Sequence, residues 1–161
     1  WLPWLRKMGR SKWHGWIEMS DIPELFHRVS EAEGPSRELD AAVFEALIGN
    51  LAMADPDQWK IGPYAIWGGA HGPRPIPRYT ASLDVVAALS AEKLPGKISI
   101  AVEILPIRDG GFAASCNIYE YVSESTAEHL GSSGLCKTEP LARLAAALLA
   151  IHERNKSDDR A

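Results

Sequence analysis

Apolar positions recur at helical spacing in four stretches of the chain and alternate in two others, and this pattern predicts most of the architecture. Ile22, Leu25, Phe26 and Val29 share one face of a helix over 21–32, which Gly34-Pro35 ends. Ser36 caps a second helix, RELDAAVFEALIG, with Leu39, Val43 and Leu47, joined by Phe44 and Ile48, as its stripe and Gly49 as its stop. These two helices form a short hairpin. A third helix covers about 81–92 and is stopped by Pro95-Gly96. A fourth begins near Thr138-Glu139, with Pro140 in its first turn, and buries Leu141, Leu144, Leu148 and Ile151.

The alternating runs are KISIAVEILPI and FAASCNIYEYV, separated by RDGG, and they read as a hairpin of half-buried strands over 97–122. A two-residue turn would set an apolar side chain opposite Ser115. A three-residue loop at 109–111 instead pairs Ile104 with Cys116, Val102 with Ile118 and Ile98 with Val122, which keeps one face apolar. The other face then presents Ser99, Ala101, Glu103 and Leu105 beside Ser115, Asn117, Tyr119 and Tyr121. Residues 50–77 are rich in proline and glycine, and only YAIWG at 64–68 has strand character, as a short edge strand. The stretch 123–137 is polar, and the tail NKSDDRA, above all 156–161, is expected to be disordered. The sum is a single α+β domain over 19–155: an antiparallel sheet, built on the hairpin with a short edge strand, packed by four helices.

Composition fits that size of core, with 46% hydrophobic and 24% charged residues in 161. The longest apolar run, LARLAAALLAI at 141–151, is interrupted by Arg143 and is too short for a membrane helix. Residues 1–18 differ from the rest, holding four of the six tryptophans and the basic residues Arg6, Lys7, Arg10 and Lys12 against one acid, Glu18. They have no uninterrupted apolar segment and do not read as a secretory signal. MSDIPELF from Met19 looks like a natural start, so this Trp-rich arm is either foreign to the domain or an arm that packs or binds. The whole chain carries net charge −4; without the arm, 13 basic face 20 acidic residues, net −7. Such a domain is a poor prior for nucleic acid or an anionic membrane. Cys116 and Cys136 lack zinc-site spacing and the five histidines make no ligand pair, so no metal or cofactor is expected. Both cysteines read as free thiols in a reducing cytoplasm, with a disulfide as the lesser alternative.

Candidate chemistry centres on GGAHGPRPIPRYT, which leads into the third helix. His71, Arg74 and Arg78 approach a helix N-terminus that also offers the hydroxyls of Thr80 and Ser82, and guanidinium groups with free amides suit a phosphate or carboxylate. The glycine spacing matches neither a P-loop nor a dinucleotide fingerprint, and a proline-stiffened solvent loop accounts for the same residues. Asp84, in the first helical turn, is sufficiently explained by the helix dipole, although it is also a candidate ligand residue. Glu103 and Glu120 fall on opposite faces of the hairpin and do not form a catalytic pair. No catalytic signature is present. An enzyme would need a dispersed site such as His71, Asp84 and Glu103. A second possible interaction surface is the semi-polar hairpin face of Glu103, Asn117, Tyr119 and Tyr121, which also suits a homodimer contact.

EGPSRELDAAVFEAL at 33–47 and PRYTASLDVVAAL at 77–89, followed by TEPLARLAAALLA, together resemble the phage alpha-beta-alpha (ABA) sandwich domain family of bacteriophage and prophage proteins. Gly34, Arg37, Leu39, Asp40, Tyr79, Thr80, Ser82, Leu83 and Asp84 carry the match, which covers about 20–154. The family often has a tryptophan soon after the third helix, where this chain has LPGKISI with Lys97. The resemblance implies an alpha-beta-alpha sandwich-like arrangement and a phage accessory protein in the cytoplasm of a bacterial host, and it carries over no activity. The expected role is a non-enzymatic binding protein for a small anionic, nucleotide-like ligand or a host protein. A double-stranded nucleic-acid-binding module is the alternative, since the order helix, strand, strand, helix resembles such modules, with Lys137 and Arg143 as the phosphate contacts.

Overall fold

The Ala/Leu run that predicts the last helix forms the centre of the molecule. The computed structural model describes residues 22–48, 65–67, 73–94, 96–108 and 110–158. In chain order these form α1 (Ile22–Ser30), α2 (Arg37–Ile48), β1 (Ala65–Trp67), β2 (Pro73–Pro75), α3 (Leu83–Lys93), β3 (Ile98–Pro106), β4 (Phe112–Tyr121), β5 (Ala127–Ser132) and α4 (Glu139–Asp158). Along α4, Leu141, Ala142, Ala150 and every residue from Leu144 to Leu148 are fully buried. A helix apolar on all sides must be covered on all sides. The sheet β3-β4-β5 covers one side of α4, and α1 and α3 cover others. Leu25 and Val29 from α1, Val86 and Leu89 from α3, and Cys116 and Ile118 from β4 complete the core. The expected α+β fold is the observed one: among the described residues, an open antiparallel sheet with four helices, the sheet packing against α4.

Local signals set the helix ends. Ser36 Oγ accepts from the Leu39 amide at 3.3 Å, the cap expected for α2, and Ser82 Oγ accepts from the Val85 amide at 3.4 Å, which starts α3 at Leu83 and not at 81. Leu94 closes α3, its N–H donating to Ser90 O. α4 runs to Asp158, into the stretch expected to be disordered, with Lys156 Nζ 2.9 Å from Glu153 Oε1 supporting the last turns.

The sheet departs from expectation in three ways. First, the hairpin pairs Ile104 with Ala114, Val102 with Cys116 and Ile98 with Glu120, two residues from the expected register. The loop closes earlier because Ile107 N–H donates to Gly111 O and Gly110 N–H to Ile107 O, with Gly110 at φ +82°. A shift of two leaves every side chain on its face, so apolar alternation fixes the faces and not the register. Second, the third strand is β5, within the stretch read as polar. A bulge between its contacts with Ile118 and Tyr119 breaks the alternation that would have revealed it. Third, the expected edge strand exists as β1 but pairs with β2 in a separate two-stranded sheet, Ile66 opposite Arg74.

Cys116 and Cys136 are free and buried. Burial pushes the Cys116 thiol up to about 11, against a lowering influence from Arg143, so it stays neutral at neutral pH. It packs as a small hydrophobe, its backbone N–H held by Ser133 Oγ at 2.9 Å. Among the described residues no helix is long and apolar enough to cross a membrane.

Candidate functional site

The two Leu-Asp motifs have different fates. Asp84 is exposed in the first turn of α3. Asp40 is 1% exposed, and its Oδ1 accepts from the backbone N–H of Thr80 at 2.7 Å and from the Thr80 hydroxyl at 2.8 Å. Arg37 Nη1 donates to Asp40 Oδ2 at 2.6 Å, while Arg37 Nη2 donates to Ile76 O at 2.8 Å. Thr80 Oγ1 also accepts from Ser36 N–H at 2.9 Å. The start of α2 is thereby bound to the segment 76–80, and this clamp sets where α3 begins. Arg37, Asp40 and Thr80 supply its side chains, and Ser36 and Ile76 supply backbone groups.

This geometry bears on the anion reading. Thr80 is fully buried with its hydroxyl engaged, and the Ser82 hydroxyl caps α3. Arg78 is exposed. His71 and the side chain of Arg74 lie outside the described residues. An anion site here would therefore rest on Arg78 and backbone amides. The cations expected to hold phosphates are each paired, Lys137 with Glu33 at 3.6 Å and Arg143 with Glu139 at 2.7 Å. Asp84 and Glu103 are not brought together, since α3 packs on α4 while Glu103 leaves the sheet on the face away from α4.

The second expected surface is assembled. Register puts Ser99 beside Tyr119, Ala101 beside Asn117 and Glu103 beside Ser115 on the outer face of the sheet. β5 adds His129 beside Tyr119 and Ser132 beside Asn117. The Tyr119 and His129 rings meet edge to face, 5.4 Å between centroids. Tyr121 is 41% exposed, with the Lys97 ammonium 5.7 Å from its ring centroid. Glu103 and His129 are exposed, and no described helix covers them. His129 escaped sequence reading because its strand did; a histidine facing an aromatic across a recognised ladder would have been the signal. On the inner face Glu120 finds a partner in Arg154, 3.3 Å away.

Among the described residues, the Tyr119 and Tyr121 hydroxyls, the Asn117 carboxamide and the Glu103 carboxylate have no hydrogen-bond partner within the chain. Their donors and acceptors are turned to solvent, whereas the hydroxyls of Thr80 and Ser82 are engaged within the fold. No group of three or more His, Cys, Asp or Glu side chains suited to a metal occurs among the described residues. No protein family, curated sequence or solved structure matches this chain.

Proposed function

We propose that the chain is a non-catalytic binding protein whose partner is another protein and whose partner surface is the outer face of β3-β4-β5. The observation that carries this reading is the uncommitted polar and aromatic character of that face, with Tyr119, Tyr121, His129, Asn117 and Glu103 on one open sheet. Tyrosine is favoured at protein interfaces because it joins a large apolar ring to a polar tip. A small ligand, in contrast, needs a concave site that encloses most of its surface. No described element walls in this face. The motif resemblance supports a setting among phage or prophage accessory proteins in the cytoplasm of a bacterial host.

The test is photocrosslinking in the native cells, with p-benzoylphenylalanine replacing Tyr121, Glu103 or the exposed Ala87 of α3. The expected result is one discrete protein adduct shared by positions 121 and 103 and absent at 87. No adduct at 121 and 103, or the same adduct from all three positions, rejects the reading.

A further inference from the structure

The two edges of the main sheet are built differently. β5 is six residues long, bears Glu128 and His129 and contains the bulge, all features that blunt an edge against further pairing. β3 is nine residues long with no bulge, a single charge at Glu103 and a proline only at its last position. α4 lies across β4 and β5 and barely reaches β3. Ile98, Ile100 and Val102 are consequently only half-buried, and Ile104 is 60% exposed.

The direction of the free hydrogen-bonding groups follows from the ladder. Tyr121 N–H donates to Lys97 O at 2.9 Å, so 97 and 121 are a hydrogen-bonded pair. Alternation along an antiparallel ladder then makes 99, 101, 103 and 105 the residues bonded to β4. Ile98, Ile100, Val102 and Ile104 turn their N–H and C=O groups outward, and none of these has a partner among the described residues.

We propose that the chain forms a homodimer through this edge, β3 pairing antiparallel with β3 of a second copy about a two-fold axis at Val102. The sequence of the edge is complementary to itself in that register. It sets Ile100 beside Ile104 of the second copy twice, covering the exposed isoleucine, and uses the whole strand from Ile98 to Pro106. It also sets Glu103 beside Ala101 of the second copy. An axis at Glu103 would place two carboxylates directly opposite, which destabilises a sheet. The product is a continuous six-stranded sheet with two copies of the outer face side by side, an isologous arrangement. This inference does not rest on the binding reading, because the edge groups differ from those of the outer face.

The experiment is sedimentation of the full chain over a concentration series. Wild type is expected to be a dimer. Ile104→Pro deletes an outward N–H and leaves the β4 ladder bonds in place, and is expected to dissociate it. Ala101→Glu sets like charges opposite Glu103 at two symmetric positions and weakens association about tenfold, whereas Ala101→Lys creates two opposite-charge pairs and strengthens it about tenfold. A chain that stays monomeric up to about 1 mM overturns the proposal. So does a dimer indifferent to Ala101→Glu, or one that Ala101→Lys weakens. Ala101 is exposed, so this pair of variants decides even if Ile104→Pro fails to fold.

Discussion

Asp40→Ala is expected to lower the stability of the chain by about 3 kcal/mol, whereas Asp84→Ala, the matching change in the other Leu-Asp pair, shifts it by less than about 1 kcal/mol. Asp40 accepts three hydrogen bonds, at 2.6, 2.7 and 2.8 Å. Its removal leaves the buried Thr80 N–H without an acceptor, and a buried unsatisfied donor costs about 1–3 kcal/mol. The Thr80 hydroxyl recovers part of the loss by turning to Ser36 O, 3.2 Å away, and Arg37 keeps Ile76 O and some solvent. Asp40→Asn should lie between the two, since its carbonyl still serves Thr80 while its amide meets Arg37 donor to donor. Urea unfolding with an unchanged dependence on denaturant is the appropriate measurement. Equal losses for Asp40→Ala and Asp84→Ala would mean that the motifs are two ordinary helix starts after all.

Gly131→Ala is expected to cost about 3 kcal/mol, or roughly 6–12 °C in Tm for a chain of this length. A Cβ at position 131 would sit 2.6 Å from Ala146 O and 2.8 Å from Ala150 N. Both are backbone atoms of the central helix, so no side chain can swing aside. Either β5 or α4 must move, and α4 is packed from every direction. Gly34→Ala is the control, with nothing within 4 Å of its Cβ and no positive φ; it should be neutral or slightly stabilising. Thermal unfolding of the two variants beside wild type checks the pair. A Gly131→Ala protein that melts with wild type would show that β5 does not approach α4 this closely.

Legibility from sequence followed the periodicity. The four described helices and both hairpin faces were readable because their apolar residues repeat at 3.6 or 2, and a register slip of two changes neither face. Glu103, Asn117, Tyr119 and Tyr121 could be placed together for that reason. β5 was not readable: its bulge interrupts the alternation, and Gly131, the position that lets the sheet touch α4, looks in sequence like a turn. His129 was lost with it. At Thr80 and Ser82 the sequence offered hydroxyls for a ligand, but their engagement within the fold was invisible. The partner of Thr80 is Asp40, forty residues earlier, and nothing local announces a contact at that separation.

The outer face as a partner surface is tested most directly by hydroxyl-radical footprinting of the chain in its native cells and as purified protein. Tyr121 and His129 report on that face, while Leu83 on α3 and Ile48 on α2 are exposed reference positions on helices that do not pack on the sheet. An edge-to-edge dimer leaves the face open, so it does not mimic a partner. The account predicts that Tyr121 and His129 are oxidised several-fold less in cells than in the purified protein, with Leu83 and Ile48 unchanged. Equal oxidation of Tyr121 and His129 in the two settings would contradict it.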